Sequence, residues 1–346
     1  MTKTSVSRYQ LESRSAIEHS IGDYLSDTKH MHQAEPARLL YDQLFEPISE
    51  YQQKSEVIIV PDGKLGFIPF DALIDGDGKY AVQTHTISYV PSATVLFLLR
   101  HARRAQASVP LLAIGNSNED GAPAFSFGSR ARGTLDFAKP VSQLGTLPSV
   151  EGEIREITQT TGSGSKVLFG PAASEAEFKS RRLDRYRVIH IAAHGFADMK
   201  FPDRSGLLLG FDRANHDDGL LQVREIRNLR LRADLVTLSA CDAGAGKLEG
   251  QNGVASIVQA FLFAGARSVV ASLWTADDVF TASLMGRFYR GLAAGKPVGE
   301  ALRSAKLEMI ERFGSKAAPL LWAGFFVTGD PAAQIEFKND KRPTIN

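Results

Sequence analysis

The chain has 346 residues, of which 43% are apolar, and its 40 lysines and arginines are balanced by 39 aspartates and glutamates. This balance does not favour a nucleic-acid-binding surface, and a single cysteine excludes an internal disulfide framework and fits a reducing compartment. No uninterrupted apolar run is long enough to span a membrane, and residues 1–15 lack the apolar core of a signal peptide. We therefore expect a cytoplasmic protein with no direct nucleic-acid or membrane partner.

The chain opens with a lead-in that precedes the regular elements. Residues 1–34 are polar with scattered apolar positions, which predicts one loosely held helix or a disordered segment. Apolar residues at helical spacing then predict a helix between Pro36 and Pro47. The next predicted elements are extended pieces over 57–61, 65–70 and 87–90 and a short helix over 95–103.

Strands alternate with helices in the remainder of the chain. The apolar run 111–115 opens the main sheet, and a loop rich in Gly, Ser and Pro follows over 116–148. Its length predicts a mobile, functional loop open to proteolytic nicking, including by the protein itself at Arg130 or Arg132. The alternation predicts one α/β domain over 35–331, with a mostly parallel sheet and helices on both faces. Residues 332–346 are a polar tail.

The only cysteine stands where a predicted strand ends. Residues 235–238 are apolar and β-branched, and Cys241 follows in a small-residue turn. A second run, 188–193, has the same form and ends in His194 and a glycine. Because ligands bind at the carboxyl ends of parallel strands, neighbouring strands would bring His194 and Cys241 to one edge of the sheet.

A thiol facing an imidazole has the chemistry of a nucleophile and its base. The thiolate attacks a carbonyl, and the imidazole that holds the thiol proton can then protonate the leaving amine. The oxyanion needs preorganised donors, for which we assign the backbone N–H groups of Gly195 and Cys241. His194 and Cys241 are 47 residues apart, close to the separation of about 50 in caspases. The competing interpretation is that Cys241 is a small buried hydrophobic residue.

Two other patterns resemble known sites. His190 lies four residues before His194, but no glutamate lies between them and the run is typical of a strand. We therefore interpret His190 as a hydrogen-bonded core histidine rather than a zinc ligand. The GAGK of residues 244–247 lacks the Ser or Thr of a phosphate loop, and no GxSxG serine elbow occurs. The sequence predicts neither a metal nor a cofactor.

Two acidic residues follow Trp274, just beyond another predicted strand end. Asp277 and Asp278 suit the first turn of the next helix, where the helix dipole favours negative charge. Alternatively, one of them, Asp278 before Asp277, lies in a specificity pocket and pairs with a basic substrate side chain. Both interpretations stay open at this point.

Seven motifs give the chain a specific resemblance. They are VPDGKLGFIPFDAL (60–73), YVPSATVL (89–96), HIAAHG (190–195), SGLLL (205–209), LSACDAG (238–244), QAFLFAGARSVVASLWTADD (259–278) and LWAGFFVTGDP (321–331). With these motifs the chain resembles a CHAT domain, the caspase-like family related to separase, over about residues 35 to 331.

The resemblance implies a caspase–hemoglobinase fold and a cysteine endopeptidase with His194 and Cys241 as its dyad. Residues 274–278 resemble the segment of separase that helps to select arginine before the scissile bond. The implied partners are a protein or peptide substrate and a regulatory protein, for example in bacterial defence or regulated cell death. Two features depart from the family: Asp242 replaces the usual Glu or Gln, and no tetratricopeptide repeats are visible. The alternative is a catalytically idle scaffold or signalling interaction module.

Overall fold

The structure is a computed structural model. It describes residues 6–26, 34–102, 105–117, 146–196, 198, 201–210, 217–239, 251–274, 277–314 and 317–337. The predicted loop 116–148 lies outside these residues except at its two ends, and Arg130 and Arg132 lie outside them too.

Strands of the described chain form one large and one small sheet. In chain order they are β1 (Glu56–Ile59), β2 (Thr86–Tyr89), β3 (Val109–Gly115), β4 (Lys166–Phe169), β5 (Tyr186–Ala192), β6 (Gly195–Phe196), β7 (Gly206–Leu208), β8 (Leu220–Gln222), β9 (Leu235–Ser239), β10 (Ser268–Ser272) and β11 (Phe325–Gly329).

Helices connect and cover these strands. They are α1 (Arg14–Ser26), α2 (Ala34–Leu44), α3 (Ala81–Thr84), α4 (Ala93–His101), α5 (Val150–Thr161), α6 (Glu175–Ser180), α7 (Val223–Ile226), α8 (Gln251–Ala264), α9 (Asp278–Ala293) and α10 (Val298–Phe313).

The central sheet contains two blocks of parallel strands. Its order is β1-β2-β11-β10-β9-β5-β3-β4 among the described residues. Strands β10, β9, β5, β3 and β4 run parallel to one another, and we call them the five-strand block. Strands β1, β2 and β11 form the three-strand block. The blocks meet where β10 and β11 pair antiparallel, so the predicted mostly parallel sheet is confirmed.

Alternate residues of the five-strand block face two apolar cores, one on each side of the sheet. On one side Ile189 and Leu238 pack with Phe261 of α8. On the other side Val188 and Leu235 pack in the core formed with α5, α9 and α10. Strands β5, β9 and β10 are buried along their whole length, which is typical of parallel strands covered by helices on both faces. The predicted placement of helices on both faces is therefore confirmed.

Local sequence explains where several helices begin and end. Ser92 caps α4 by accepting a hydrogen bond from the N–H of Val95. Gly265 ends α8 as predicted, with a φ of +117° that a residue with a side chain rarely adopts. The extended piece predicted over 65–70 is wrong, because the chain forms 3-10 turns over Gly63–Phe67 and Phe70–Ala72.

The N-terminal helices lie against the three-strand block. Helix α1 occupies part of the predicted lead-in and buries Ile21 and Tyr24 together with Leu40 of α2. This apolar cluster also contains Ile87 and Tyr89 of β2. Within the part of the chain that is described, no helix is both long and apolar enough to cross a bilayer.

Candidate active site

The two strands that precede the predicted dyad lie side by side. Strands β5 and β9 are parallel, and their register pairs Val188 with Leu235 and Ala192 with Ser239. One further bond follows the last pair, from the N–H of Ala193 to the carbonyl oxygen of Ser239 at 3.3 Å. The side-by-side arrangement on which the predicted mechanism depends is therefore present.

His194 lies two residues after the end of β5 and is only 3% exposed. Its carbonyl oxygen accepts a hydrogen bond from the N–H of Leu208 at 2.7 Å, and the next residue, Gly195, pairs with Leu207 in the small antiparallel sheet. The side-chain amide of Asn116 donates to the carbonyl oxygen of Leu208 at 3.2 Å. Both sheets therefore fix the backbone that carries the imidazole.

The predicted nucleophile falls outside the described part of the chain. Cys241, with the backbone N–H assigned to the oxyanion hole, comes two residues after Ser239, where the described part of β9 ends. Ser239 is buried, and its hydroxyl has no hydrogen-bond partner among the described residues. The roles of His194, Gly195 and Cys241 stay predictions.

The two predicted specificity carboxylates have partners of their own. Asp277 caps α9, because its Oδ1 accepts hydrogen bonds from the N–H groups of Val279 and Phe280 at 3.0 and 3.2 Å. Asp278 Oδ2 accepts from the N–H of Ser149, the residue before α5, at 2.6 Å. The helix-terminal interpretation therefore describes Asp277, whereas Asp278 joins the beginnings of α5 and α9. Substrate binding by either carboxylate stays a prediction.

His190 is a hydrogen-bonded core histidine, as predicted. It is fully buried, its Nδ1 lies 3.1 Å from the hydroxyl of Tyr289, and its Nε2 lies 2.9 Å from Oε1 of Glu153. The hydroxyl of Tyr289 donates to Oγ1 of Thr237 at 3.1 Å. Burial raises the pKa of Tyr289 far above its usual value, and the opposing effect of the hydrogen bond to Thr237 is smaller. The sequence does not reveal these partners, because they are distant along the chain.

One group of carboxylates in the described chain could hold a cation. Glu175, Asp217 and Glu225 lie close enough to share one, but the ammonium of Lys179 already lies 3.0, 2.8 and 3.2 Å from their oxygens. Burial raises the pKa of Glu175 to about 7, and the hydrogen bond from Lys179 opposes that rise. Burial lowers the pKa of Lys179, but its carboxylate partners raise it more. The lysine therefore supplies the positive charge.

A protein-family comparison covers most of the chain. The family model described as CHAT domain matches residues 34–330. The chain is also 24% identical over 345 residues to tetratricopeptide repeat protein 28 of Mus musculus, which covers 85% of this chain. It spans only 13% of the length of that curated relative.

Two solved structures are similar to the chain. Gingipain R (RgpB) of Porphyromonas gingivalis, an Arg specific cysteine proteinase, matches with a TM-score of 0.50 and 10% identity, covering 93% of this chain and 76% of its own. The separase–securin complex of Saccharomyces cerevisiae matches with a TM-score of 0.48 and 15% identity, covering 84% of this chain and 17% of the other. The likeness to gingipain confirms the predicted caspase–hemoglobinase fold, which is a fold of cysteine peptidases.

Proposed function

This chain belongs to the CHAT domain family, and from that membership we propose that it is a cysteine endopeptidase with His194 and Cys241 as its catalytic dyad. The observation that carries the proposal is the register of β5 and β9. Ala192 of β5 and Ser239 of β9 are direct partners. His194 comes two positions after Ala192, and Cys241 comes two positions after Ser239. Two residues of chain span at most about 7 Å, so covalent geometry limits how far either side chain can lie from that pair.

The proposed reaction uses only the dyad, backbone donors and water. His194 takes the thiol proton of Cys241, and the thiolate attacks the carbonyl carbon of the scissile peptide bond. The N–H groups of Gly195 and Cys241 donate to the oxyanion that forms. The imidazolium then protonates the amine as the carbon–nitrogen bond breaks, which leaves a thioester. Water, deprotonated by the same imidazole, hydrolyses the thioester and restores the thiol.

We place the preference for a basic residue before the scissile bond at the beginning of α9. Strand β10 lies beside β9 and parallel to it, so the residues that follow both strands leave the sheet at the same edge. A carboxylate in a partly dry pocket pairs strongly with a guanidinium, and bidentate geometry favours Arg over Lys. Asp278 is the first candidate for this carboxylate and Asp277 the second.

A peptide-based electrophile tests the proposal directly. An acyloxymethyl ketone that carries Arg next to the warhead should label the protein at one site, because the chain has a single cysteine. Labelling should disappear in Cys241→Ala and fall strongly in His194→Ala. A peptide library should show cleavage after Arg or Lys by the unmutated protein alone. A folded protein that neither reacts with the ketone nor cleaves the library would instead be a scaffold.

A further inference from the structure

Four buried polar side chains form a chain of contacts in the core beneath the candidate active site. They lie on four different elements, α5, β5, α9 and β9, and each is at most 2% exposed. We call them the buried relay: Glu153, His190, Tyr289 and Thr237.

The contacts within the buried relay have a direction. The hydroxyl of Tyr289 donates its single proton to Thr237, so it accepts the hydrogen bond from Nδ1 of His190 at 3.1 Å. The other ring nitrogen lies 2.9 Å from Oε1 of Glu153, without the alignment of a hydrogen bond. These contacts fix the imidazole of His190 from both sides.

The buried relay lies under the strands that lead to the proposed dyad. His190 and Thr237 are direct register partners on β5 and β9. Successive side chains of a strand alternate between faces, so His190 shares its face of the sheet with Ala192. His194 follows Ala192 by two residues. The relay therefore holds the dyad strands to α5 and α9 a few residues before the site.

Packing alone does not require polar side chains here. The surrounding core is apolar, with Val188, Leu235 and Phe288 close by. Burying polar groups costs free energy that apolar side chains of similar size would avoid. What polar contacts add is a fixed distance and direction between elements, whereas apolar surfaces can slide against one another. A buried polar group that fixes register is the best attested use of such contacts.

A second contact joins the same two helices at the edge of the sheet. Asp278, the first residue of α9, accepts the N–H of Ser149 immediately before α5. The two helices are thus joined at their beginnings and, through Tyr289 and Glu153, again in the core. The helix that carries the proposed specificity carboxylate is therefore held to α5 at its beginning and to the dyad strands through Tyr289.

We propose that the buried relay positions the dyad strands relative to α9, and that His190 and Tyr289 are positioning residues for catalysis. This inference rests on the peptidase function proposed above. A displacement of reacting groups by about 1 Å can lower a rate by about 100-fold. Loss of the relay should therefore lower turnover more than it lowers substrate binding.

Two relay variants and one matched control test the proposal. Tyr289→Phe removes one oxygen and keeps the ring, and Glu153→Gln removes the charge. The control is Asp71→Asn, which neutralises another buried carboxylate, bonded to the ammonium of Lys306 at 2.8 Å. We expect kcat to fall at least tenfold in both relay variants while KM changes less than twofold. The control should melt at a lower temperature and keep its kcat.

The alkylation rate of the only cysteine gives a readout that needs no turnover. Iodoacetamide reacts with the thiolate, so at pH 7 we expect Tyr289→Phe to lower the rate at least fivefold and the control to leave it unchanged. If Tyr289→Phe has the same kcat and the same alkylation rate as the control Asp71→Asn, the proposal is overturned. Tyr289→Phe alone decides the outcome if Glu153→Gln fails to fold. If His194→Ala leaves the alkylation rate of Cys241 unchanged and the unmutated protein cleaves nothing, the peptidase function itself has failed.

Discussion

The two blocks of the central sheet use buried side chains differently. The five-strand block buries polar side chains of β5 and β9, the strands that lead to the proposed dyad, and one of them, His190, contacts Tyr289 of α9. The three-strand block is lined instead by aromatic rings. Phe45 and Tyr51 stack at 4.1 Å, and Phe70 and Tyr89 lie 6.0 Å apart.

This difference separates two tasks within one sheet. Aromatic packing buries large apolar areas and so contributes mainly to stability. Directional polar contacts add little net stability but restrict the arrangement of the elements that they join. We therefore expect substitutions in the three-strand block to change unfolding and substitutions at the edge of the five-strand block to change catalysis.

The largest expected effect is on the proposed dyad. Cys241→Ala and His194→Ala should each lower kcat/KM by at least about 10⁴-fold, because each removes a group required in the transition state. The double variant should be little worse than either single variant, since the two groups act as a unit. Steady-state cleavage of the best library peptide measures the loss. Persistent cleavage by pure Cys241→Ala protein would exclude the thiol as nucleophile.

The complementary effect belongs to the three-strand block. Phe45 is buried and contacts the rings of Tyr51 and Phe70, so Phe45→Ala should lower the free energy of unfolding by about 3–5 kcal/mol. Phe45→Leu, the matched control, should lose less than half as much. Urea denaturation measures both losses. The kcat of the folded fraction should not change, and a tenfold fall in kcat would break the separation between the blocks.

Substitutions at the beginning of α9 should have smaller effects, which distinguish the roles of Asp277 and Asp278. Asp277→Ala removes a helix cap and should lower the free energy of unfolding by about 1 kcal/mol with no change in selectivity. Asp278→Asn keeps an oxygen for the N–H of Ser149 but loses its charge. It should slow the cleavage of Arg peptides at least about tenfold, equivalent to about 1.4 kcal/mol.

Uncharged peptides serve as the control for this selectivity. Asp278→Asn should change their cleavage much less than that of Arg peptides, because they do not need the carboxylate. Equal kcat/KM values of the unmutated protein for Arg and uncharged peptides would end the specificity proposal and leave the dyad proposal intact.

The smallest effect concerns pH. The pKa of Glu175 rises from an ordinary 4.5 to about 7 because of burial. The folded protein therefore holds this proton more tightly, and the resulting stability is present below about pH 4.5 and lost as pH rises through 7. Relative to Glu175→Gln, the melting temperature of the unmutated protein should fall by about 2–4 °C across this range. If the melting temperatures of the two proteins change with pH in the same way, the pKa of Glu175 is not raised in the folded protein.

Local sequence patterns were sufficient for the elements that bear the site. The runs before His194 and Cys241 are continuous and apolar because β5 and β9 are buried on both faces. The local sequence also predicted the glycine that ends α8 and the burial of His190. The extended piece predicted over 65–70 failed because an apolar, Gly-containing run also suits successive 3-10 turns.

The sequence could not supply contacts between distant segments. His190 and Tyr289 are 99 positions apart, and Ser149 and Asp278 are 129 apart. Such contacts depend on the order and register of the strands, which periodicity does not encode. For the same reason, the sequence does not distinguish the role of Asp277 from that of Asp278. Both are carboxylates at the beginning of one predicted helix, and they differ only because the fold brings Ser149 beside Asp278.

The position of β11 has a consequence for synthesis of the protein. This strand comes last in sequence among the described strands, yet it lies inside the sheet between β2 and β10. Until residues 325–329 are made, a nascent chain can form only two separate fragments of the central sheet. The edges at β2 and β10 are then unpaired, and other chains could join them. Translation of β11 is therefore the step that first allows the two fragments to join into one sheet.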